Sequence, residues 1–377
     1  MLKKFKTIDL FAGVGGLSYG FVQDENFEIL AANEILINMA KAYELNHPSV
    51  KVYCKDIKDF GLEDLKKDFG VKKGDIDLII GGPPCQAYST VGKRLIDDPK
   101  GKLFQEYFRV LKELDPKIFL FENVKGLISM QKGELLKSII LLFKSLGYKV
   151  DYKVLNSADF GAPQIRERVI IIGTKLDAKY MYPEPTRYNP EDGINLLNQE
   201  LKPYLTLREA IGDLAFIKSS EECFVYATEP VNEFQKLMRE NAPNKLMDHN
   251  SPNNNGSLVK IMENLPDGGT PKDLPEEMRP KSGFANTYCR LWWNRPSTTI
   301  TRNLSTPSSS RCIHPIAPRP LTTREGARIQ CFPDHYIFYG SRGDKNLQIG
   351  NAVPTFLSAA LKDSIKKHLF QNLSELK

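Results

Sequence analysis

The stretch Asp9-Leu-Phe-Ala-Gly-Val-Gly-Gly16 joins an apolar run at residues 6–11 to a helical pattern at residues 15–22. The apolar run predicts a β-strand, and the glycines predict a tight turn directly after it. A glycine turn at a strand end lets a ligand approach the main chain and the N-terminus of the next helix. The turn departs from the dinucleotide fingerprint G-x-G-x-x-G, because the third glycine would fall at position 18, which is Ser18. The turn alone therefore does not define its ligand.

Short apolar runs and helical patterns alternate through the first 175 residues. Predicted strands lie at residues 6–11, 27–32, 50–54, 76–80, 118–121, 149–155 and 168–172, and predicted helices at residues 15–22, 35–46, 103–114 and 135–146. Such alternation is typical of an open sheet with helices on both faces. We expect an α/β fold with a doubly wound, mainly parallel sheet.

The character of the chain changes after Tyr182. Prolines at 183, 185, 190 and 203, with the runs Asn253-Asn-Asn-Gly256 and Asp267-Gly-Gly269, interrupt any long periodicity. Helical patterns return at residues 322–330 and 355–369. We expect residues 1–183 and 319–377 to form the sheet domain, and residues 184–318 to form a smaller, loop-rich domain.

The composition is that of an ordinary globular protein. Of the 377 residues 41% are hydrophobic and 26% are charged, which argues against a disordered, collagen-like or coiled-coil chain. The apolar runs are far shorter than the roughly 20 residues that span a bilayer, and the N-terminus lacks the apolar core of a signal peptide. Six cysteines without C-x-x-C spacing and five histidines support neither a disulfide framework nor a metal site. We expect a soluble, cytoplasmic protein with free thiols and no metal.

Positive charge is concentrated in one segment. The chain has 52 basic and 46 acidic side chains, a net charge of +6, and residues 281–328 hold eight basic residues and one acid. The eight are Lys281, Arg290, Arg295, Arg302, Arg311, Arg319, Arg324 and Arg328. Arginine has the planar fork that matches phosphates and guanine edges. The segment predicts a nucleic-acid surface, and the alternative is a solvated basic face.

Carboxylates follow the second and third predicted strands. Glu34 lies 21 positions after Gly13, at a place where a carboxylate can hold ribose hydroxyls, and Asp56 closes the third strand in the same way. Each residue alone could equally be a helix cap or a turn residue. Together with the glycine turn they indicate a nucleoside bound at the carboxyl edge of the sheet.

Gly81-Gly-Pro-Pro-Cys-Gln86 directly follows the predicted strand at residues 76–80. Two glycines and two prolines fix the main chain around Cys85 and place its thiol on a rigid loop at the sheet edge. Most lone cysteines are small core residues, but this placement favours a nucleophile. The other five cysteines lack that context, and we interpret them as inert.

Two further motifs point to the same edge. Glu122-Asn-Val124 follows the strand at residues 118–121, so Glu122 would face the pocket of Cys85, although a capping carboxylate is the alternative. In Gln164-Ile-Arg-Glu-Arg168, Arg166 and Arg168 alternate along an extended segment and would share one face. They could form a surface ion-pair ladder, or aim two guanidinium groups at a carbonyl oxygen and a phosphate.

Six ordered motifs resemble those of the DNA (cytosine-5) methyltransferase family over nearly the whole chain. They are Phe11-x-Gly-x-Gly-Gly16, Pro83-Pro-Cys-Gln86, Glu122-Asn-Val124, Gln164-x-Arg-x-Arg168, Arg324-Glu-x-Ala-Arg328 and Gly350-Asn-Ala-Val-Pro354. Relatives that methylate exocyclic amines carry an aromatic residue after the two prolines, whereas Cys85 stands here. The resemblance implies methylation of cytosine C5 with S-adenosylmethionine, by the sheet domain, with residues 184–318 as the target-recognition domain.

The resemblance also implies a role for each site residue. Cys85 would attack cytosine C6, Glu122 would hold or supply the N3 proton, Arg168 would bind O2, and Arg166 would grip phosphate or support the catalytic loop. The implied cofactor contacts are Phe11, Ala12, Gly13, Gly15, Gly16, Glu34, Ile35, Asp56, Ile57, Gly82, Pro84, Leu103, Asn351, Ala352 and Val353. The implied DNA contacts are Gln86 and Ser89, beside the flipped base, and Arg290, Arg295, Arg302 and Arg311, in the recognition domain.

Three alternatives remain open at this point. The first is a tRNA cytosine-5 methyltransferase, against which the arginine-rich segment favours duplex DNA. The second is a catalytically silent DNA-binding paralogue, and the third is a nicotinamide-dependent oxidoreductase, which Ser18 disfavours. For the leading interpretation we expect a monomer on double-stranded DNA, a short site containing G·C pairs, and a bacterial restriction endonuclease acting on the same site.

Overall fold

A computed structural model of the protein describes residues 3–84, 102–196, 198–281 and 286–374. The chain divides into two compact units. Unit 1 comprises residues 1–156, 167–184 and 357–377, and unit 2 comprises residues 157–166 and 185–356. Each unit is described separately below.

Nine strands and eleven helices are assigned within the described residues. The strands are β1 Phe5–Leu10, β2 Phe27–Asn33, β3 Lys51–Tyr53, β4 Leu78–Gly81, β5 Ile118–Val124, β6 Lys149–Asn156, β7 Glu167–Thr174, β8 Arg187–Tyr188 and β9 Lys202–Pro203. The helices are α1 Tyr19–Val22, α2 Ile37–Asn46, α3 Leu62–Phe69, α4 Lys102–Leu114, α5 Glu134–Ser145, α6 Leu207–Ile211, α7 Glu233–Arg239, α8 Gly256–Asn264, α9 Thr323–Ile329, α10 Arg342–Asn351 and α11 Thr355–Ser374.

Unit 1 is built on a seven-stranded sheet with the strand order β3-β2-β1-β4-β5-β7-β6. Strands β1 to β5 pair in parallel, while β7 is antiparallel to both β5 and β6. Because parallel strands need a crossover of a dozen or more residues, the ten residues between β6 and β7 permit only an antiparallel return. The sheet is therefore mainly parallel, which confirms the predicted fold class.

Side chains from the sheet alternate between two packed faces. Ile8 and Leu10 of β1 join a core with residues of α3, α4 and α5, among them Leu65 and Leu111. Asp9 lies between them in the strand, and its carboxyl group meets Tyr43 of α2. Alternation along a strand sends neighbouring side chains to opposite faces. Helices thus cover both faces of the sheet.

Unit 2 has little regular structure, as its prolines predict. Its two-stranded sheet pairs β8 with β9, and its helices are α6 to α10. Buried arginines stabilise its interior. Arg319 donates through both Nη atoms to the carboxylate of Glu325, at 2.7 and 2.8 Å, and Arg328 bridges Asp213 and Asp334. Burial alone would raise the pKa of Glu325, but the neighbouring Arg319 holds that pKa well below its usual value.

The unit boundaries differ from the domains expected from the sequence. Residues 319–356, which we expected in the sheet domain, belong to unit 2, and so do residues 157–166. The physical reason lies in α9, whose residues are all buried and whose Arg328 pairs with Asp213, 115 positions away in the sequence. Long-range ion pairs of this kind leave no trace in local composition.

No helix within the described residues combines the length and the apolar character needed to cross a membrane. Across residues 3–84, 102–196, 198–281 and 286–374, no group of three or more His, Cys, Asp or Glu side chains is arranged to hold a metal ion.

Candidate active site

The glycine turn follows β1 and has the conformation that its residues predict. Phe11, Gly13 and Gly15 all have positive φ angles, of 53°, 57° and 92°. A side chain on Gly13 would have open space around it, with no atom within 4 Å of an added Cβ, so the glycine serves the main-chain conformation. The turn also explains why α1 begins at Tyr19 and not at residue 15, as the sequence predicted. The main chain of Gly13 therefore borders an open space at the sheet edge.

Glu34 follows β2 and braces this turn. Its carboxylate accepts hydrogen bonds from the main-chain N–H of Gly13 at 2.9 Å and of Leu36 at 2.8 Å. Burial raises the pKa of Glu34, and these two hydrogen bonds oppose the rise. The main chain of Ile35 contributes a third hydrogen bond, so of the roughly four lone-pair positions of a carboxylate about one remains for a ligand. Beside it, the Ile35 side chain is 60% exposed, an apolar surface next to a polar acceptor.

Asp56 and Ile57 follow β3 at the same edge. The carboxylate of Asp56 accepts from the main-chain N–H of Lys58 at 3.1 Å and pairs with its Nζ at 3.2 Å. The Lys58 main-chain hydrogen bond is the main cause that lowers the pKa of Asp56. Ile57 is buried in the core of unit 1, so its side chain serves packing.

Glu122 and Arg168 form an ion pair across two neighbouring strands. Arg168 Nε lies 2.9 Å from Glu122 Oε1, and the side chains are only 12% and 13% exposed. In the antiparallel register Arg168 of β7 lies opposite Val124 of β5, so Glu122 is its diagonal neighbour on the same face. The antiparallel direction of β7 brings its first residues to the carboxyl end of β5. The sheet topology thus brings together two residues 46 positions apart in the sequence.

The main chain that precedes Cys85 is fixed against this pair. A Cβ added to Gly82 would lie 2.7 Å from Glu122 Oε2, a contact too short for any side chain. The Asn123 side-chain amide donates to the carbonyl oxygen of Pro83 at 3.1 Å. Any side chain at position 82 would therefore displace the carboxyl group of Glu122. The anchoring role of Asn123 was not predicted from the sequence, although its place directly after Glu122 was visible.

Three predicted residues lie outside the described part of the chain, namely Cys85, Gln86 and Ser89. The structure places their neighbours: Pro84 is exposed, and Leu103, at the start of α4, packs partly against the core of unit 1.

Arg166 does not share a face or a role with Arg168. Its side chain is 2% exposed and belongs to unit 2, where its guanidinium donates to the carbonyl oxygens of Ile300 and Gly350 at 2.8 and 3.0 Å. Because this guanidinium is enclosed by main chain, a grip on phosphate does not fit the arrangement, while support of the catalytic loop by Arg166 stays a prediction. Arg168 instead turns to Glu122.

Asn351, Ala352 and Val353 lie in unit 2, where α10 ends. Asn351 is exposed, while Ala352 and Val353 are buried. Their contact with a cofactor stays a prediction.

The arginines of the basic segment divide into buried and exposed groups. Arg290 is 4% exposed, and its guanidinium donates to the carbonyl oxygens of Leu265 at 3.0 Å, of Pro315 at 3.0 Å and of Met262, His314 and Ala317. Arg319, Arg324 and Arg328 are fully buried as well. Half of the eight basic side chains of this segment are therefore buried within unit 2, and the predicted nucleic-acid surface can use only the other half. Arg290, predicted to contact DNA, does not fit that role in this structure, because its N–H donors already bind main-chain carbonyl oxygens.

Three of the predicted DNA contacts remain accessible. Arg302 is exposed, and Arg295 is exposed and pairs with Glu191 at 2.7 Å. Such surface pairs contribute little to stability and exchange easily for a phosphate. Arg311 is half-buried, with its guanidinium 4.3 Å above the ring of Trp292 and one Nη donating to the carbonyl oxygen of Gly268. Arg295 and Arg302 are thus more accessible to DNA than Arg311.

Comparison with known proteins identifies the family of the chain. The family of C-5 cytosine-specific DNA methylases matches residues 5–367. The chain is 33% identical to the Type II methyltransferase M.AgeI of Thalassovita gelatinovora, over 96% of this chain and 99% of that protein. It is 36% identical to the Type II methyltransferase M.XorII of Xanthomonas oryzae, over 96% of this chain and 84% of that protein.

Solved structures show the same fold. One, described as a DNA modification methyltransferase encoded within a prophage (E. coli), has a TM-score of 0.74 and 26% sequence identity, covering 97% of this chain and 100% of that one. The Dnmt2 methyltransferase of S. pombe, at 16% identity, matches in fold with a TM-score of 0.61 over 97% of this chain and 99% of that one.

The sheet order and the strand-end site together define an S-adenosylmethionine-dependent methyltransferase fold. Within that class, the chain belongs to the C-5 cytosine-specific DNA methylase family, and it is a DNA (cytosine-5) methyltransferase. The resemblance found in the sequence is confirmed.

Proposed function

We propose that this enzyme methylates C5 of one cytosine within a short, specific sequence of duplex DNA, through a covalent bond between Cys85 and C6 of that base. The observation that carries the proposal is the Glu122–Arg168 pair, held against the main chain of Gly82 just before Cys85. A paired carboxylate and guanidinium beside a cysteine loop supply the groups that an activated pyrimidine needs.

The reaction begins with the nucleophile. Cytosine C5 is too weak a nucleophile to take a methyl group unaided. When the Cys85 thiolate attacks C6, an S–C6 bond forms and the C5–C6 electron pair moves toward C5. Glu122 holds or supplies the proton at N3, so the negative charge that develops on the ring is neutralised.

Arg168 has two tasks in this scheme. Its guanidinium donates to the O2 carbonyl oxygen of the ring, as a preorganised electrostatic group. Its Nε is bonded to Glu122, so the same side chain sets the direction of the carboxyl group.

The reaction closes when a base takes the C5 proton, the S–C6 bond breaks, and Cys85 leaves as a thiolate. The N3 proton then returns to Glu122.

The glycine turn and its neighbours fit S-adenosylmethionine, which supplies the methyl group when bound. The open space at Gly13 admits a ligand to the main chain, and the carboxylate of Glu34 beside it suits a ribose hydroxyl. The exposed Ile35 side chain would be covered by the adenine ring. Phe11, Ala12, Gly15, Gly16, Asp56, Ile57, Gly82, Pro84, Leu103, Asn351, Ala352 and Val353 are proposed as the other contacts.

The target cytosine must leave the base stack of the duplex before it can react. Attack on C6 comes from above the ring, where a neighbouring base lies in a duplex, so the target is flipped out at a cost of a few kcal/mol. Gln86 and Ser89 are proposed to fill the vacated space. Unit 2 is proposed as the target-recognition domain, with Arg295, Arg302 and Arg311 toward DNA.

The biological setting follows from the relatives. Several similar proteins are named Type II methyltransferases, so we propose that this chain modifies DNA in a bacterial restriction–modification system. A restriction endonuclease acting on the same site would be its partner in function, without direct binding. The enzyme would act in the cytoplasm, as a monomer on DNA.

Bisulfite sequencing of DNA from cells that express the protein tests the proposal and reads out the site. We expect conversion-resistant cytosines at one short motif for the wild type and for Cys54→Ser, which removes an exposed free thiol. Cys85→Ser should leave no methylated motif. Methyl transfer to tRNA but not to plasmid DNA would contradict the proposal, and so would methylation by Cys85→Ser.

A further inference from the structure

Asp9 lies beneath the glycine turn and takes no part in the scheme above. Its Oδ2 is 3.3 Å from the hydroxyl of Tyr43, which is 3.0 Å from Ser18 Oγ. Ser18 Oγ in turn lies 3.3 Å from the carbonyl oxygen of Gly15, inside the turn. Asp9, Tyr43 and Ser18 are all buried. A chain of polar groups thus connects the strand β1 to the glycine turn.

The number of available protons decides whether neutral or ionised Asp9 allows all of these hydrogen bonds to form at once. Three contacts connect Asp9 to the turn, Asp9–Tyr43, Tyr43–Ser18 and Ser18–Gly15, and each hydrogen bond needs one proton. Ser18 can instead donate directly to Asp9, but its single proton then no longer reaches Gly15. The two hydroxyls bring one proton each, and the Gly15 carbonyl is only an acceptor. The third proton can come only from the carboxyl group. All three hydrogen bonds therefore exist together only when Asp9 is a neutral acid.

The surroundings of the carboxyl group favour the same form. Its other oxygen, Oδ1, is buried and has no hydrogen-bond partner among the described residues. An unpartnered buried oxygen is far less costly in a neutral acid than in a carboxylate. Burial, with a smaller contribution from the charge of Glu34, raises the pKa of Asp9 to about 7 against the opposing hydrogen bonds from Ser18 and Tyr43.

We propose that Asp9 is a positioning residue of the cofactor site, which as a neutral acid holds the glycine turn through Tyr43 and Ser18 and releases it on ionisation. In the ionised form both hydroxyls turn toward the carboxylate, and the Gly15 carbonyl loses its donor. This inference rests on the proposed assignment of the glycine turn to S-adenosylmethionine.

Other titratable groups near Asp9 are few within the described residues. Glu34 lies on the neighbouring strand end, and Tyr107 of α4 also interacts electrostatically with Asp9. The rings of His47 and Tyr43 pack edge to face with centroids 4.6 Å apart, and burial lowers the pKa of His47 to about 4. His47 is therefore neutral across the range in which Asp9 titrates. A variant that alters only Asp9 leaves all three groups in place.

Equilibrium binding of S-adenosylmethionine, measured across pH on the full chain, tests the inference. For the wild type we expect affinity to fall about fivefold between about pH 6 and about pH 8.5, as for one lost hydrogen bond. Asp9→Asn carries a permanent N–H donor, so its affinity should change clearly less over the same range. Ser18→Ala should bind at low pH as weakly as the wild type does at high pH. Comparing the wild type with each variant at the same pH removes the effect that the ionisation of S-adenosylmethionine itself has on the measured affinity.

The same pH dependence in the wild type and in Asp9→Asn would overturn the inference. If the wild type binds no S-adenosylmethionine at any pH, the proposed function fails instead. Infrared spectra of wild-type protein labelled with ¹³C-aspartate decide the protonation directly, even where a variant does not fold. A neutral-acid band at about pH 6 that disappears above the pKa of about 7 supports the inference. If no neutral-acid band is present at about pH 6, the inference is overturned.

Discussion

Arg168 Nε lies 2.9 Å from Oε1 of Glu122, across the antiparallel pair β5 and β7. Both side chains are largely shielded from water, so the pair is held in one geometry and is weakly screened by salt. The one antiparallel strand inserted into the sheet's order is what allows this contact. The proposed acid and the proposed cation of the reaction are thus already paired with each other in the protein without DNA.

Replacing Glu122 by glutamine should lower kcat by about two to three orders of magnitude, on the scale of losing one preorganised catalytic group. The amide keeps the size of the side chain but cannot hold the N3 proton. Glu167→Gln is the control, because Glu167 is next to Arg168 and pairs on the surface with Lys125. Single-turnover methyl transfer with saturating cofactor measures the difference. Equal rates for both variants would contradict the role of Glu122.

Gly82→Ala should reduce methyl transfer strongly while leaving the fold intact. The added Cβ would lie 2.7 Å from Glu122 Oε2, so the carboxyl group or the cysteine loop must move. Gly126→Ala is a matched control, because its Cβ would meet nothing closer than 3.9 Å. Activity assays and thermal unfolding of both variants distinguish the two effects. Full activity of Gly82→Ala would show that this contact has no catalytic importance.

Arg290→Ala should destabilise the protein by about 2 to 4 kcal/mol, because several buried carbonyl oxygens lose their donor. Arg302→Ala, at an exposed position, should leave the free energy of unfolding within about 0.5 kcal/mol. It should instead weaken DNA binding and reduce its salt dependence. Denaturant unfolding and DNA titrations at several salt concentrations separate the two classes. Unchanged stability for Arg290→Ala would contradict its structural role.

Asp9 should make stability depend on pH in a particular direction. Its pKa is raised from 3.8 to about 7, so between these values the folded state binds more protons than the unfolded state. Stability from this group is present at low pH and is lost as pH rises through that window, by at most about 1.4 kcal/mol per pH unit. Asp9→Asn should therefore gain stability relative to the wild type from about pH 4 to about pH 7, and then level off. Chemical unfolding at several pH values measures this, and a constant difference would contradict it.

The strands were the most predictable part of the fold. Buried parallel strands are continuous apolar runs, which made β1 to β5 visible, and all seven strands of the sheet were located to within about three residues at each end, for example β1 at Phe5–Leu10. Helix α3 was missed because its sequence, LEDLKKDF, has one fully buried residue, Leu65, and little else to set a period. The direction of β7 follows from its short connection and was not predicted either.

The site was predictable where a residue follows a strand. Glu34 follows β2, and Glu122, predicted to follow β5, lies within its last three residues; both were placed at the correct edge because the carboxyl ends of parallel strands meet there. Arg166 and Arg290 were not predictable, since their partners are main-chain oxygens more than 20 positions away in the sequence. Local sequence shows that an arginine is present, but not whether its donors are already used.

The most direct test of covalent catalysis by this site uses a duplex carrying 5-fluorocytosine at the methylated position found by bisulfite sequencing. With S-adenosylmethionine present, the fluorine cannot leave as a cation, so the S–C6 bond should persist. We expect a protein–DNA adduct that survives denaturing electrophoresis, with the modified peptide containing Cys85. Cys54→Ser should form the adduct and Cys85→Ser should not. A wild-type enzyme that methylates the ordinary duplex yet forms no adduct with the fluorinated one would contradict the account.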